Sequence, residues 1–140
     1  MIRVLLADDH AIVRASLRAW LETTEDIVVV GEVADGRNAV TESLRLRPDV
    51  VVLDIAMPEM NGIEVAYQIH YALPGTRLLI LSMYATSEHI ARALHAGAQG
   101  YILKEAAGDE LIQGIRMLLT GRCYFSSQLS PELVKEFEAQ

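Results

Sequence analysis

Apolar and polar positions alternate between two textures along the chain. Short runs rich in β-branched residues or leucine occur at Ile2 to Ala7, Ile27 to Val33, Val50 to Leu53, Leu78 to Leu81 and Tyr101 to Leu103. Runs of this length, bounded by polar residues, read as strands buried on both faces. Between them the apolar residues recur at helical spacing: Val13, Leu17, Trp20 and Leu21; Val40 and Leu44; Val65, Ala66, Ile69 and Leu73; Ile90, Ala93 and Leu94. Leu111, Ile112, Ile115, Leu118 and Leu119 continue the pattern after the fifth run. Asp35-Gly36, Asn61-Gly62, Pro74-Gly75 and Gly97 stand at the junctions, where helix caps and turns belong.

Strands alternating with helices on short connections imply right-handed crossovers and a parallel sheet covered on both faces. The expectation is a doubly wound, five-stranded α/β sandwich in the strand order 2-1-3-4-5. With 140 residues there is room for one domain, over 1–120, and a short tail over 121–140. Gly121 to Ser130 is polar and turn-rich, and Ser130-Pro131-Glu132 has the form of a helix cap and first turn.

Composition narrows the functions available. Hydrophobic residues make up 51% of the chain, enough for a packed core. Twelve Lys and Arg against 19 Asp and Glu give a net charge of −7, which opposes nucleic-acid phosphates and anionic membranes alike. No DNA binding by this chain is expected, and no membrane. The one cysteine, Cys123, makes neither an intrachain disulfide nor a zinc site. The apolar run at Val4 stops at Asp8, before a signal core forms, and no run approaches the roughly 20 residues that span a bilayer. A cytoplasmic protein is expected.

In a doubly wound sheet the ligand site lies beyond the carboxyl ends of the strands, where the winding reverses. At those ends stand Asp8 and Asp9 after the first strand, Asp54 after the third, Ser82 after the fourth and Lys104 after the fifth. The first and third strands are neighbours in the expected order, so Asp8, Asp9 and Asp54 share one crevice flanked by Ser82 and Lys104. Carboxylates so close repel one another unless a cation enters. A hard divalent ion such as Mg²⁺, held by carboxylates, waters and a phosphoryl oxygen, resolves the conflict. The loop from Ile55 to Gly62 has a backbone carbonyl to offer the ion, for instance that of Ala56. His10 reads as the start of the first helix, since two acids beside it suffice for Mg²⁺.

Asp8-Asp9, Asp54 with Met57-Pro58 and Asn61-Gly62, Ser82, Gly100-Tyr101 and Lys104 resemble, in this order, the receiver domain of bacterial response regulators. That fold is the flavodoxin-like or CheY-like one, and the resemblance covers residues 1 to about 120. Asp9-His10, the stretch from Ala96 to Glu105 and Leu129-Ser130-Pro131-Glu132-Leu133 resemble the NarL/FixJ subfamily, whose members continue into a helix-turn-helix domain that binds DNA. The expectation is that residues 1–140 do not include that domain.

The resemblance implies that Asp54 is phosphorylated by a phosphohistidine on a sensor histidine kinase. It implies Mg²⁺ held by Asp9, Asp54 and the Ala56 carbonyl, with Asp8 acting through water. Ser82 and Lys104 would receive phosphoryl oxygens, Ser82 and Tyr101 would form the switch, and phosphorylation would promote a homodimer. Ala56 and Tyr84 occupy positions with which the family tunes phosphoryl lifetime, and Glu105 stands where many receivers have proline. The competing reading is a Mg²⁺-dependent phosphohydrolase with an aspartate nucleophile. Such enzymes need a second acid two residues on, where this chain has Ala56. A dinucleotide-binding domain is excluded, because Ala7-Asp8-Asp9-His10 replaces the glycine-rich turn.

Overall fold

The computed structural model describes residues 1–57 and 61–126. Pro58 and the helix expected from Ser130 lie outside the described residues. The elements run β1 (Ile2–Ala7), α1 (Ala11–Leu21), β2 (Ile27–Val33), α2 (Gly36–Leu46), β3 (Val50–Asp54), α3 (Gly62–Ala72), β4 (Arg77–Ser82) and α4 (Ser87–His95). β5 (Gly100–Leu103), a 3₁₀ turn (Lys104–Ala106), α5 (Ala107–Leu119) and β6 (Tyr124–Phe125) follow among the described residues.

The sheet is parallel throughout, in the order β2-β1-β3-β4-β5-β6. Side chains alternate along each strand, so each strand feeds two cores. Leu5, Val51, Leu53, Leu78, Ile80 and Tyr101 face Ala39, Val65, Ile69, Ile90 and Ala93 of α2, α3 and α4. Val4, Leu6, Val50, Val52, Leu79, Leu81 and Ile102 face Leu17, Leu21, Leu111, Ile115 and Leu118 of α1 and α5. The winding therefore reverses between β1 and β3, and the crevice opens at their carboxyl ends.

Two expectations need correction. The sheet has six strands rather than five, because Tyr124 and Phe125 pair with Gly100 and Tyr101 of β5. β2, at the edge as the expected order has it, is not buried on both faces: Ile27, Val29 and Val33 are buried, and Val28, Val30, Gly31 and Glu32 are half-buried. The sixth strand is held by side chains as well as backbone. The Tyr124 amide donates to the Gln99 carbonyl at 3.0 Å and the Ser126 amide to the Tyr101 carbonyl at 2.9 Å. The Tyr124 and Ser126 hydroxyls donate to the two oxygens of Glu110 at 2.8 and 2.7 Å. Glu110, on the buried side of α5, is thereby satisfied.

Helix starts follow their caps. Asp35 accepts from the Asn38 amide, Asn61 from Glu64 and Thr86 from His89. Asn61 has φ −70, so it acts as a cap rather than as a positive-φ turn residue. The glycine beside it is required by space: a Cβ on Gly62 would lie 2.6 Å from the Asp54 carbonyl oxygen and 2.6 Å from Ile55 Cα. This close approach seats the first turn of α3 against the end of β3. Gly97, at φ +98, combines left-handed backbone with a Cβ position 2.4 Å from the His70 ring, so it admits only glycine.

Candidate functional site

β1 and β3 end beside each other, with Ala7 opposite Leu53, so Asp8 and Asp54 emerge at one level. Asp54 is opposite Leu81, which places Ser82 one residue further along β4. Ser82 is opposite Leu103, so Lys104 leaves β5 one step beyond it. The register alone thus carries four of the expected residues to one end of the sheet. Asp8, Asp54 and Ser82 are buried. Asp9, with its side chain 30% exposed, forms the rim.

Lys104 joins the carboxylates. Its ammonium donates to Asp54 Oδ2 at 3.0 Å and stands 3.4 Å from Asp8 Oδ2. Asp54 Oδ1 accepts from the Ala56 amide at 3.1 Å, which orients the carboxylate and turns the chain toward α3. Asp8 Oδ1 accepts from the His10 amide at 2.8 Å, while Asp8 Oδ2 is buried without a hydrogen bond. The Arg14 guanidinium donates to the Asp8 carbonyl at 2.6 Å and pairs with Glu32 at 3.3 Å, bracing the end of β1.

One ammonium faces three carboxylates, so the crevice keeps an excess of negative charge. Burial pushes the Asp54 carboxyl above its ordinary range, and the nearby Asp8 charge adds to this against the opposing pull of the Ala56 amide and Lys104. Burial alone would lower the Lys104 ammonium, but Asp54 and Asp8 outweigh it and hold the group above its usual value. Asp8, Asp9, His10 and Asp54 each offer one donor atom, all within 4.8 Å of one another. This donor set fits a divalent cation: carboxylate oxygens dominate, and a buried acceptor of Asp8 has no other hydrogen-bonding partner.

Ser82 and Lys104 line a common cavity of about 350 Å³ together with Val13, Met83, Leu103 and Glu105. The Ser82 hydroxyl accepts from the Tyr84 amide at 2.9 Å. The Tyr84 carbonyl accepts in turn from the Tyr101 hydroxyl at 2.6 Å. Tyr101 is completely buried, and that burial raises its phenol above the usual value. Ser82 and Tyr101 are therefore tied through one residue, Tyr84. The ring of Tyr84 stacks on His89 of α4, with centroids 4.5 Å apart. Ala56 is exposed at the edge of a larger cavity of about 890 Å³, which Tyr84 and His89 also line. The peptide bond between Lys104 and Glu105 is trans.

Sequence reasoning placed Asp8, Asp9, Asp54, Ser82 and Lys104 at this end of the sheet with Ala56 in the loop beside them, and the structure brings them together; Tyr101, named through the resemblance, lies within β5 and reaches the site through its hydroxyl. Sequence reasoning passed over two contributors. His10 does start α1, but its ring also enters the crevice, with Nδ1 3.2 Å from an oxygen of Asp8 and 3.2 Å from one of Asp9. Its position next to the acid pair was the available signal. The Tyr84 carbonyl, which accepts from Tyr101, carried no signal because a backbone group has no letter in a sequence.

Comparison with known proteins agrees with this geometry. Residues 4–116 match the response regulator receiver domain. The chain is 38% identical over 140 residues to the oxygen regulatory protein NreC of Staphylococcus epidermidis, covering 99% of this chain and 64% of that protein. It is 37% identical over 135 residues to the uncharacterized transcriptional regulatory protein YxjL of Bacillus subtilis, covering 96% and 62%. The chain thus spans a little under two thirds of the length of these relatives. A two-component response regulator of the LuxR family from Aurantimonas superposes with a TM-score of 0.86 at 35% identity, covering 98% of this chain and 95% of that one. The receiver domain of the response regulator NarL from Mycobacterium tuberculosis gives 0.81 at 34% identity, with 86% and 98% covered. Among the described residues, no helix is long and apolar enough to cross a membrane. A CheY-like parallel sheet, an acidic crevice with its lysine and this sequence kinship agree, and the chain belongs to the response regulator receiver domains, in the NarL/LuxR group of two-component regulators.

Proposed function

We propose that Asp54 accepts a phosphoryl group from a phosphohistidine of a sensor histidine kinase, in a reaction that requires Mg²⁺. The observation that carries the reading is Lys104, whose ammonium sits between Asp54 Oδ2 and the otherwise unbonded Asp8 Oδ2. An Asp54 oxygen attacks phosphorus, the phosphorus–nitrogen bond breaks, and its electron pair stays on the departing imidazole. Asp54 needs no base, because a carboxylate is already the nucleophile.

Asp9, Asp54 and the Ala56 carbonyl would hold the ion, with Asp8 acting through water. Bound Mg²⁺ supplies neutralisation of charge on the phosphoryl oxygens. Lys104 pairs with one phosphoryl oxygen, and the Ser82 hydroxyl donates to another. To do so the Ser82 hydroxyl turns its hydrogen away from the Tyr84 carbonyl, 3.5 Å off, and the Tyr84 segment that holds the Tyr101 hydroxyl then becomes free to move. Tyr101 is the switch by this route, reporting the state of Asp54 to α4 and β5. Self-association of two copies follows as output. Ile12 and Trp20, exposed on α1 beside the Lys104 end of the sheet, support a surface suited to it.

The names of the relatives support transcription regulation, through DNA binding by another part, as the role of the whole protein. The chain itself acts as a signalling module whose sheet extends through Tyr124 and Phe125, beyond the expected boundary at residue 120, with a linker after it, rather than as a hydrolase of external phosphate esters. Ala56 supplies no acid to a leaving group. Intact-mass measurement after incubation with a small phosphodonor tests the reading. One phosphoryl group should be added with Mg²⁺ and none in its absence or in Asp54→Asn. Labelling of Asp54→Asn at the wild-type yield, or steady turnover of unrelated phosphate esters, would overturn it.

A further inference from the structure

We propose that the groove between α3 and α4 is the docking site of this chain's own C-terminal segment, residues 131–138, laid in as an amphipathic helix. The inference concerns a face other than the acidic crevice and needs neither the cation nor the phosphoryl group of the preceding reading.

The groove has a volume of about 890 Å³. Ile63 and Tyr67 of α3 and Tyr84, ahead of α4, give it an apolar and aromatic lining, and His89, Arg92 and His95 of α4 give it a basic one. Tyr67 and Tyr84 are 61% and 50% exposed, so much of that aromatic surface is uncovered. Arg92 pairs with Glu88 at 2.9 Å, but both side chains are largely in solvent, so the pair is weak and readily exchanged for another. Among the described residues that line the groove, Glu64 is the only acid.

The C-terminal segment has the complementary pattern. Ser130-Pro131 suits a helix start, and Leu133, Val134 and Phe137 then share one face at helical spacing, flanked by Glu136 and Glu138. An apolar face edged with acids fits a groove that is aromatic and basic, in the manner of helix-in-groove recognition.

The chain also leaves the described structure in the right place. Phe125 packs against the core that α3 and α4 cover. The Ser126 amide donates to the Tyr101 carbonyl, and the Tyr101 hydroxyl donates to the carbonyl of Tyr84, which lines the groove. Ser126 is thus two hydrogen bonds and one tyrosine side chain away from it. Residues 127–130 span up to about 14 Å when extended. A helix over 131–138 is about 12 Å long, close to the nine residues of α4. The tether gives the segment a local concentration in the millimolar range, so a modest contact holds it. A second copy has no such advantage, and two chains of net charge −7 repel each other.

The experiment uses the whole chain in solution by nuclear magnetic resonance. Wild type should show Overhauser contacts from the Leu133 and Val134 methyls to Ile63, Tyr67 and Tyr84, and Phe137→Asp should lose them. With the Tyr67 and Tyr84 amide shifts of Phe137→Asp as the undocked end point, Arg92→Glu should lower the docked population about two- to fivefold, the range an exposed ion pair allows. Glu136→Arg with Glu138→Arg should restore it in the Arg92→Glu background. Absence of these contacts in wild type, or a docked population indifferent to Arg92→Glu, would overturn the proposal. So would contacts seen only between labelled and unlabelled chains in a mixed sample, which would give the groove to a second copy.

Discussion

Gly62→Ala tests the link between packing and chemistry most directly, because the added methyl group would press on Asp54, the residue proposed to take the phosphoryl group. Its Cβ would stand 2.6 Å from the Asp54 carbonyl oxygen, 2.6 Å from Ile55 Cα and 3.1 Å from the Asp54 carbonyl carbon. All three are backbone atoms, so no side chain can rotate away. Comfortable separations between carbon atoms are about 3.5–4.0 Å, so the first turn of α3 must retreat from Ile55 Cα by roughly 1 Å. Overpacking of this kind costs about 1–3 kcal/mol, against a gain of up to about 1 kcal/mol from the helix propensity of alanine. The net loss is then about 1–2 kcal/mol. With a urea slope of about 2 kcal/mol per molar, the unfolding midpoint falls by about 0.5–1 M. Retreat also strains the hydrogen bond from the Gly62 amide to the Ile55 carbonyl, now 2.9 Å, and tilts Asp54 away from in-line attack. A misplacement of about 1 Å can cost about 10²-fold in rate, so phosphorylation by a small donor should slow by about 10- to 100-fold. Gly108→Ala, in α5 with nothing within 4 Å of the new methyl, is the control and should gain about 0.5–1 kcal/mol. A Gly62→Ala protein with the wild-type midpoint and labelling rate would refute the argument.

Asp54→Asn should be more stable than wild type at pH 7. Burial and Asp8 raise the folded-state carboxyl, so its stabilising proton is fully present below the ordinary carboxylate range and lost as pH rises through the raised value. Urea midpoints between pH 4 and 7 should show an advantage for the variant that shrinks on acidification, and a growing one would contradict the sign. Mg²⁺ at 100 times its dissociation constant should stabilise wild type by about 2.7 kcal/mol in thermal unfolding. Asp9→Ala should lose most of that shift, and an undiminished one would remove Asp9 from the ligand set. Lys104→Ala should still label on Asp54 but fail to transmit the change to Tyr101, read as an unaltered near-ultraviolet spectrum on phosphorylation; a wild-type change would exclude the lysine from the switch. Burial and Glu110 push the Tyr124 phenol up to about 12. Because the folded value exceeds the ordinary one near 10, stability from this group is whole below about pH 10 and is lost between about 10 and 12. Tyr124→Phe should abolish a late component in the alkaline absorbance titration, and its persistence would assign it elsewhere.

The bounds of β1 and β2 were legible to the residue, because their runs of β-branched and leucine residues end in polar ones. The site was legible for a related reason. A parallel register carries whatever follows each strand to the same end of the sheet, so Asp8, Asp54, Ser82 and Lys104 could be gathered from their positions at the ends of four runs. β6 was not legible. Two residues show no periodicity, and Tyr124 and Phe125 follow a turn at Gly121, where φ is +86. Tyr124 and Ser126 are held there by Glu110, a carboxylate of α5 that is 8% exposed and that the apolar pattern of the chain does not mark.

That sixth strand bears on how a phosphorylation signal leaves the domain. The amide of Ser126 hangs on the carbonyl of Tyr101, the residue whose hydroxyl is tied through Tyr84 to Ser82. The chain beyond α5 is thus hydrogen-bonded to the same short strand that carries the switch. A shift of β5 strong enough to release Tyr101 must either carry β6 with it or break bonds that Glu110 holds from α5. Glu110→Gln keeps the shape and removes the charge, which weakens a hydrogen bond to a charged acceptor that is ordinarily worth about 1.5–3 kcal/mol. The two outcomes therefore separate by hydrogen exchange at Ser126. Protection that rises and falls with phosphorylation in wild type, and is low in both states of Glu110→Gln, means that β6 follows the switch. Protection indifferent to phosphorylation means that β6 belongs to the rigid frame and the signal leaves by α4 alone.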